Sequence, residues 1–313
     1  MTIKEIYKKA IKEGKRTDFR SDEEIEWKLS RAKKEYDSLS DKEKDFFDKE
    51  RLENPYSDTR ILHGDPESEV KKVLVGIDID GEEILLADRL GDIDLVISHH
   101  PRGSALAGLD DVMDLQIEML HHYGVPINIA EKLLKKRIKE VSRGLSPENH
   151  QRAVDMARLL DIPLMSIHTP CDNMVAQFVE KKLKNDNPRL LKDVLESLRE
   201  IPEYKEAQKI GAGPKIFVGN KKNRTGRLVM TEITGGTEGS PEIYQKLADA
   251  GAGTIIGMHI SEKHRQKAQK AHVNVIIAGH ISSDSIGVNL FLDELEDLKI
   301  VPCSGFIRHR RKK

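Results

Sequence analysis

Six side chains in this sequence have the types and spacing of metal ligands: His99, His100, His168, Asp172, His280 and Asp284. They arrive in three groups, each at the end of a short apolar run. Asp94-Leu95-Val96-Ile97-Ser98 ends in His99-His100-Pro101. Ile162 to Ile167 ends in His168-Thr169-Pro170-Cys171-Asp172. Asn274-Val275-Ile276-Ile277-Ala278 ends in Gly279-His280, with Asp284 four residues on. Runs of this kind predict buried parallel strands, and in open α/β sheets sites collect at the carboxyl ends of strands. Proline after His100 stops both the ladder and an immediate helix. A lone His-His pair is more often a polar loop, and an aspartate such as Asp78 ahead of a helix is more often an N-cap. Three histidine-ended strands with associated carboxylates are a poor match for chance.

Mixed imidazole and carboxylate ligands suit zinc, manganese, iron, cobalt or nickel, and two cysteines are too few for a structural zinc ribbon. Five or six ligands exceed one tetrahedral site. The set therefore predicts two divalent metal ions about 3.5–4 Å apart, an arrangement that acidifies water and stabilises charge on a phosphoryl or ring-carbon adduct. A second pair, His121-His122, falls near a helix end before Gly124, where imidazoles suit the helix dipole without any metal. Cys171 and Cys303 are expected to be small packed residues rather than ligands.

The elements that must position these groups follow from periodicity. Val73 to Asp78, a helical stretch from Glu83 to Leu90 and the His-His strand form a β-α-β unit, so the two strands should be parallel. Helical patterns follow near 110–123 and 128–142, with a third opening at Ser146-Pro147-Glu148. The expected organisation is α/β: a charged, amphipathic helical arm over 1–60, a first lobe over 61–185, a connector or flap over 186–226, and a second lobe over 227–313. In the arm, Ile3, Ile6, Tyr7 and Ala10 share one face, Ile25, Leu29 and Ala32 another, and Ser40 with Glu43 offers a capping box before Phe46 and Phe47. This arm is expected to dock or to mediate oligomerisation.

Net charge is −1 with 34% charged residues, so no global field recommends nucleic acid or an anionic membrane. The basic end, Arg308 to Lys313, is the one feature that favours nucleic acid, and a solvated terminus is its default. The start Met-Thr-Ile-Lys-Glu-Ile lacks a signal-peptide core, and no apolar stretch approaches a membrane span, so a cytoplasmic location is expected.

The His99-His100-Pro101 strand end, the His168-Thr169-Pro170-Cys171-Asp172 segment and the Gly279-His280-x-x-x-Asp284 motif, in this order, resemble the Nif-three-like family, also called the GTP cyclohydrolase I type 2 family. Gly76-Ile77-Asp78 and Gly235-Gly236 fit the same pattern, and the resemblance covers most of 61–306. It implies two interlocked α/β lobes with a dinuclear centre in the cleft, beyond which the helical N-terminal extension lies, and ring-like hexamers built from dimers. Carried across, the ligands are His99, His100, Asp172, His280 and Asp284, with Asp172 bridging and His168 giving or taking protons. The sequence departs from the family at Asp284, where glutamate is usual, in a longer interval from His100 to His168, and in a late histidine-rich turn represented by His259 and His264. The activity implied is metal-dependent hydrolysis of a nucleotide or phosphorylated small molecule, with GTP ring opening as its form. The alternative is a metal-binding chaperone or oligomeric scaffold without catalysis.

Overall fold

The computed structural model describes residues 1–295 and 297–311. Nine strands among these residues build two sheets: β1 (Arg60–His63), β2 (Lys72–Gly76), β3 (Leu95–Ser98), β4 (Leu164–Ser166), β5 (Lys215–Val218), β6 (Arg227–Glu232), β7 (Ala252–Gly257), β8 (Asn274–Ile277) and β9 (Lys299–Cys303). The first sheet runs β1-β4-β3-β2-β9 and the second β5-β8-β7-β6. Neighbours are parallel except at β1 and β5, which pair antiparallel at the edges. Period-two alternation explains how the first sheet is covered. Leu74, Val96 and Leu164 face helices Gly81–Leu90 and Arg152–Leu160. Val73, Val75, Leu95, Ile97 and Met165 face the arm and two long helices, Thr169–Asp186 and His280–Leu292.

These two helices lie between the lobes, and each begins at the cleft. Helix His280–Leu292 is buried on nearly every side, as a core helix must be. They touch backbone to backbone: a Cβ on Gly287 would sit 2.3 Å from the Cys171 carbonyl oxygen. Only glycine permits that approach, one turn beyond Asp284 and beside Asp172. Gly279, with φ +115°, makes the turn from β8 into the helix.

The strand boundaries differ from the expected lobes in two places. Lys215–Val218, placed in the 186–226 connector, is an edge strand of the second sheet. Lys299–Cys303, placed in the second lobe, pairs with β2 and completes the first sheet. Short apolar runs state that a strand exists but not its partner, and here the chain crosses back at its end. The helix expected from Ser146-Pro147 starts instead at Arg152: helix Ile127–Leu145 ends ahead of Pro147, which cannot continue it. Phe46 and Phe47 lie beyond the short helix Asp41–Lys44, and Phe46 is exposed.

The arm packs on its own chain. Ile3, Ile6 and Ala10 are fully buried against the first sheet and helix Thr169–Asp186. The basic end also docks, where a solvated terminus was the default. Arg311 makes two hydrogen bonds of 2.8 and 2.9 Å to fully buried Glu203, and Arg308 bonds Asn289 and Asp293 at 2.8 Å, tying the end to the last helix. Lys312 and Lys313 lie outside the described residues. Among the described residues no helix is long and apolar enough to cross a membrane.

Candidate metal centre

The carboxyl ends of the parallel strands in both sheets turn to one cleft. His99 and His100 follow β3, His168 follows β4, and His280 opens the helix after β8. Asp172 lies in the first turn of helix Thr169–Asp186, where the helix dipole favours a carboxylate. Asp284 stands one turn into its helix, so His280 and Asp284 share a face. All six expected residues meet here. Their ligand-type atoms form three overlapping trios, each within 4.8 Å: His99 with His100 and His168, His100 with His280 and Asp284, and His99 with Asp172 and Asp284.

The imidazoles are aimed by hydrogen bonds on their far side. His99 Nδ1 donates to the Ile167 carbonyl at 3.0 Å, His100 Nδ1 to Asp78 Oδ1 at 2.8 Å, and His168 Nδ1 to Asp58 Oδ2 at 2.8 Å. Each acceptor fixes the Nδ1–H tautomer and leaves Nε2 facing the cleft, the usual dressing of metal-ligating histidines. There His99 Nε2 stands 3.3 Å from Asp172 Oδ1 and 3.5 Å from Asp284 Oδ1, and His100 Nε2 3.3 Å from Asp284 Oδ2. His168 Nε2 is 3.6 Å from Asp172 Oδ2, and His280 Nε2 3.7 Å from Asp284 Oδ2.

These separations are long for charge-assisted hydrogen bonds. His99 Nε2, Asp172 Oδ1 and both Asp284 carboxylate oxygens are buried with no hydrogen-bond partner in the protein. Orphaned buried donors and acceptors are rare and call for a reason. Electrostatics points the same way. Burial disfavours a charged His99, yet Asp284 and Asp172 outweigh it and hold that ring well above its ordinary pKa. Burial likewise opposes the ionisation of Asp284, but His99, His100 and His280 outweigh it and hold that carboxyl below the carboxylate range. At the mouth, burial pushes His259 and His280 downward and keeps them neutral. Without a cation the buried carboxylates hold a proton on His99; a divalent transition cation can take the place of that proton, and these imidazole and carboxylate groups can hold a metal ion.

Three participants escaped the sequence reading. Asp78 was expected as a helix cap, but the cap is Asp80, and Asp78 orients His100 instead. Fully buried Asp58 orients His168 and also accepts from Thr169 Oγ1 at 2.6 Å. Glu232, at the end of β6, lines the pocket with His168, Asp172, His280 and Asp284, together with Ile233, Thr234, Gly236, Thr237, Met258 and His259. In sequence each is one carboxylate among many. Only the strand-end position of Asp78 and Glu232 could have singled them out. Of the late histidines, His259 reaches the pocket, whereas His264 is buried against Tyr244 and Glu238. His121 and His122 are exposed at the end of helix Asp114–His122, away from the cleft. Cys171 is buried beside Asp172 and Cys303 half-buried.

No protein-family profile matches the chain, and no curated protein does. Solved structures do match. The crystal structure of a NIF3 superfamily protein from Sphaerobacter thermophilus is 27% identical, with a TM-score of 0.72, covering 81% of this chain and 93% of that one. Reduced HcgD from Methanocaldococcus jannaschii is 17% identical, with a TM-score of 0.49, over 77% of this chain and 87% of that one. With its two interlocked α/β lobes and the order of histidine-bearing strand ends that suggested the resemblance, the chain is similar in fold and in sequence to the NIF3 superfamily protein from Sphaerobacter thermophilus.

Proposed function

We propose that the cleft holds two divalent transition cations and that the protein is a metal-dependent hydrolase. The observation that carries this reading is the convergence of the Nε2 atoms of His99 and His100, each anchored from behind through Nδ1, on buried oxygens of Asp172 and Asp284 that have no other partner. His99, His100, Asp172, His280 and Asp284 would hold the pair, with Asp172 as the bridging carboxylate that the family resemblance implies. When bound, such a pair supplies Lewis acidity and lowers the pKa of water toward neutrality, the requirement of hydrolysis.

The remaining work belongs to this chain's side chains. Asp58 accepts a hydrogen bond from the Nδ1–H of His168, which keeps the proton there and leaves Nε2 to accept a proton from the attacking water or return one to the leaving atom. Asp78 keeps His100 in register. The substrate is a nucleotide or phosphorylated small molecule, with GTP ring opening the form implied by the family resemblance, and the working unit is a cytoplasmic homo-oligomer, a hexamer of dimers by the same resemblance. A non-catalytic metal carrier or scaffold is favoured by one feature: among the described residues the pocket walls contain no lysine or arginine, so phosphate oxygens would find charge partners there only at the centre.

Elemental analysis of untagged protein beside Asp172→Ala tests the centre. About two divalent ions per chain are expected, mostly lost in the variant; protein that takes up none when offered them refutes the reading. A nucleotide and phosphoester screen of the loaded protein follows. Turnover abolished by His100→Ala and Asp172→Ala supports the hydrolase, full turnover in either variant sinks it, and no turnover by metal-loaded wild type leaves the carrier reading in its place.

A further inference from the structure

The pocket beside the centre has two unlike walls. One is the ligand set. The other comes from the second lobe and is made of Glu232, Ile233, Thr234, Thr237, Met258 and His259. Its glycine turn is pegged in place by Gln116, whose Nε2 donates to the carbonyls of Gly235 and Thr237 at 2.7 and 2.6 Å. Glu232 is the one carboxyl on this wall, and it is only 8% exposed. Among the described residues its side chain meets a single protein donor, the Gly239 backbone N–H, 3.3 Å from Oε2, and no lysine, arginine or histidine pairs with it. Its closest charged influences are Glu238, which opposes ionisation, and Arg137, which weakly favours it. A carboxyl so placed is not a cation site and not an ion pair. Burial keeps it protonated at neutral pH, with its titration pushed up to about 8. It therefore offers the pocket an O–H donor while Oε2 is engaged by Gly239.

We propose that Glu232 is the specificity-determining residue of the pocket, donating a hydrogen bond to the carbonyl oxygen of a neutral amide- or lactam-type group seated against Ile233 and Met258. This deepens the hydrolase reading by naming what the far end of its substrate carries. Charge selects the class. A phosphate or carboxylate on this wall, away from the centre, would lie beside Glu232 with no lysine or arginine among the described lining residues to balance it, whereas a neutral carbonyl gains a donor and apolar contact. The site thereby discriminates through a polar group that a wrong ligand would leave unpaired.

The test uses dihydrouracil, a neutral cyclic amide, and inorganic phosphate as probes, titrated by ligand-observed NMR into metal-loaded wild type, Glu232→Ala and Glu232→Gln at pH 7, with metal content measured in each sample. The expected result is dihydrouracil binding that weakens roughly tenfold in Glu232→Ala, about what one lost hydrogen bond gives. It should stay within about threefold in Glu232→Gln, whose amide N–H keeps a donor. Phosphate binding should be the same in all three. Dihydrouracil failing to bind wild type, binding the alanine variant equally well, or falling in parallel with phosphate would each overturn the proposal. A merely structural role for Glu232 would move both probes together. Protein that holds no metal yet binds dihydrouracil through Glu232 would refute the hydrolase reading and leave this one standing.

Discussion

Replacing Glu232 by glutamine should stabilise the protein, and only above the pH at which a free carboxyl ionises. In the unfolded chain this side chain loses its proton near its ordinary 4.5, whereas in the folded protein it keeps it to about 8, chiefly because burial penalises the charge. Below 4.5 both states are protonated and the group adds nothing pH-dependent. Between 4.5 and 8 the unfolded state alone ionises, so folding loses stability as pH rises; above 8 both are ionised and the loss is complete. At 1.36 kcal/mol per pH unit the full span is about 5 kcal/mol. Local relaxation and water entering the pocket reduce this, and about 2–5 kcal/mol is expected. Glutamine is neutral throughout and can still accept from the Gly239 N–H. For a chain of this length the gain corresponds to a Tm rise of about 3–8 °C. The assay is differential scanning calorimetry of wild type and Glu232→Gln, both freed of metal by chelation, from pH 4.5 to 9. The difference between the two isolates this group from the histidines and carboxylates they share. A Tm difference that is flat across the range, or a variant less stable at pH 8.5, refutes the reasoning.

Asp58→Asn should leave the fold intact but free His168 from its tautomer, lowering metal affinity or turnover about tenfold to a hundredfold, read by metal titration and steady-state rates; unchanged values would show that the Asp58 contact is incidental. Gly287→Ala should force the two central helices apart, because its Cβ would meet the Cys171 carbonyl oxygen at 2.3 Å. The expected cost is about 1–3 kcal/mol in denaturant unfolding together with weaker metal retention, and a variant as stable as wild type would mean that the helices slide freely there. Arg311→Ala leaves Glu203 buried without its charge partner and should cost about 2–4 kcal/mol. Urea midpoints within error of wild type would return the basic end to the status of a solvated tail.

The histidines could be found from sequence because each follows an apolar run that must be a buried strand, and a buried strand end has few ways to use an imidazole. Their orienting carboxylates could not. Asp58 meets His168 across 110 positions, and nothing local distinguishes it from the other acids near the end of the arm. Asp78 was misplaced by two residues because Asp78 and Asp80 both precede a helix, and only the backbone decides which one caps it. Glu232 looks like the polar end of an ordinary strand until the second lobe turns it toward the first. Lys299–Cys303 was read correctly as strand-like but assigned to its sequence neighbours, because strand pairing at such separation leaves no trace in composition.

That last strand has a consequence for how the molecule is made. During synthesis β2 emerges well ahead of its partner on one side, β9, which follows more than two hundred residues later. Until then the backbone of Lys72–Gly76 presents an open edge of the kind that recruits foreign strands. The nascent chain must hold this hydrophobic sheet incomplete through the synthesis of more than two hundred residues, and His280 and Asp284 arrive only just before closure. A chain cut short before residue 299 would therefore expose an aggregation-prone edge, and one cut before 280 would carry only part of the ligand set, so complete metal loading must wait for Asp284 and cannot guide the earlier folding of the strands that carry His99 and His168.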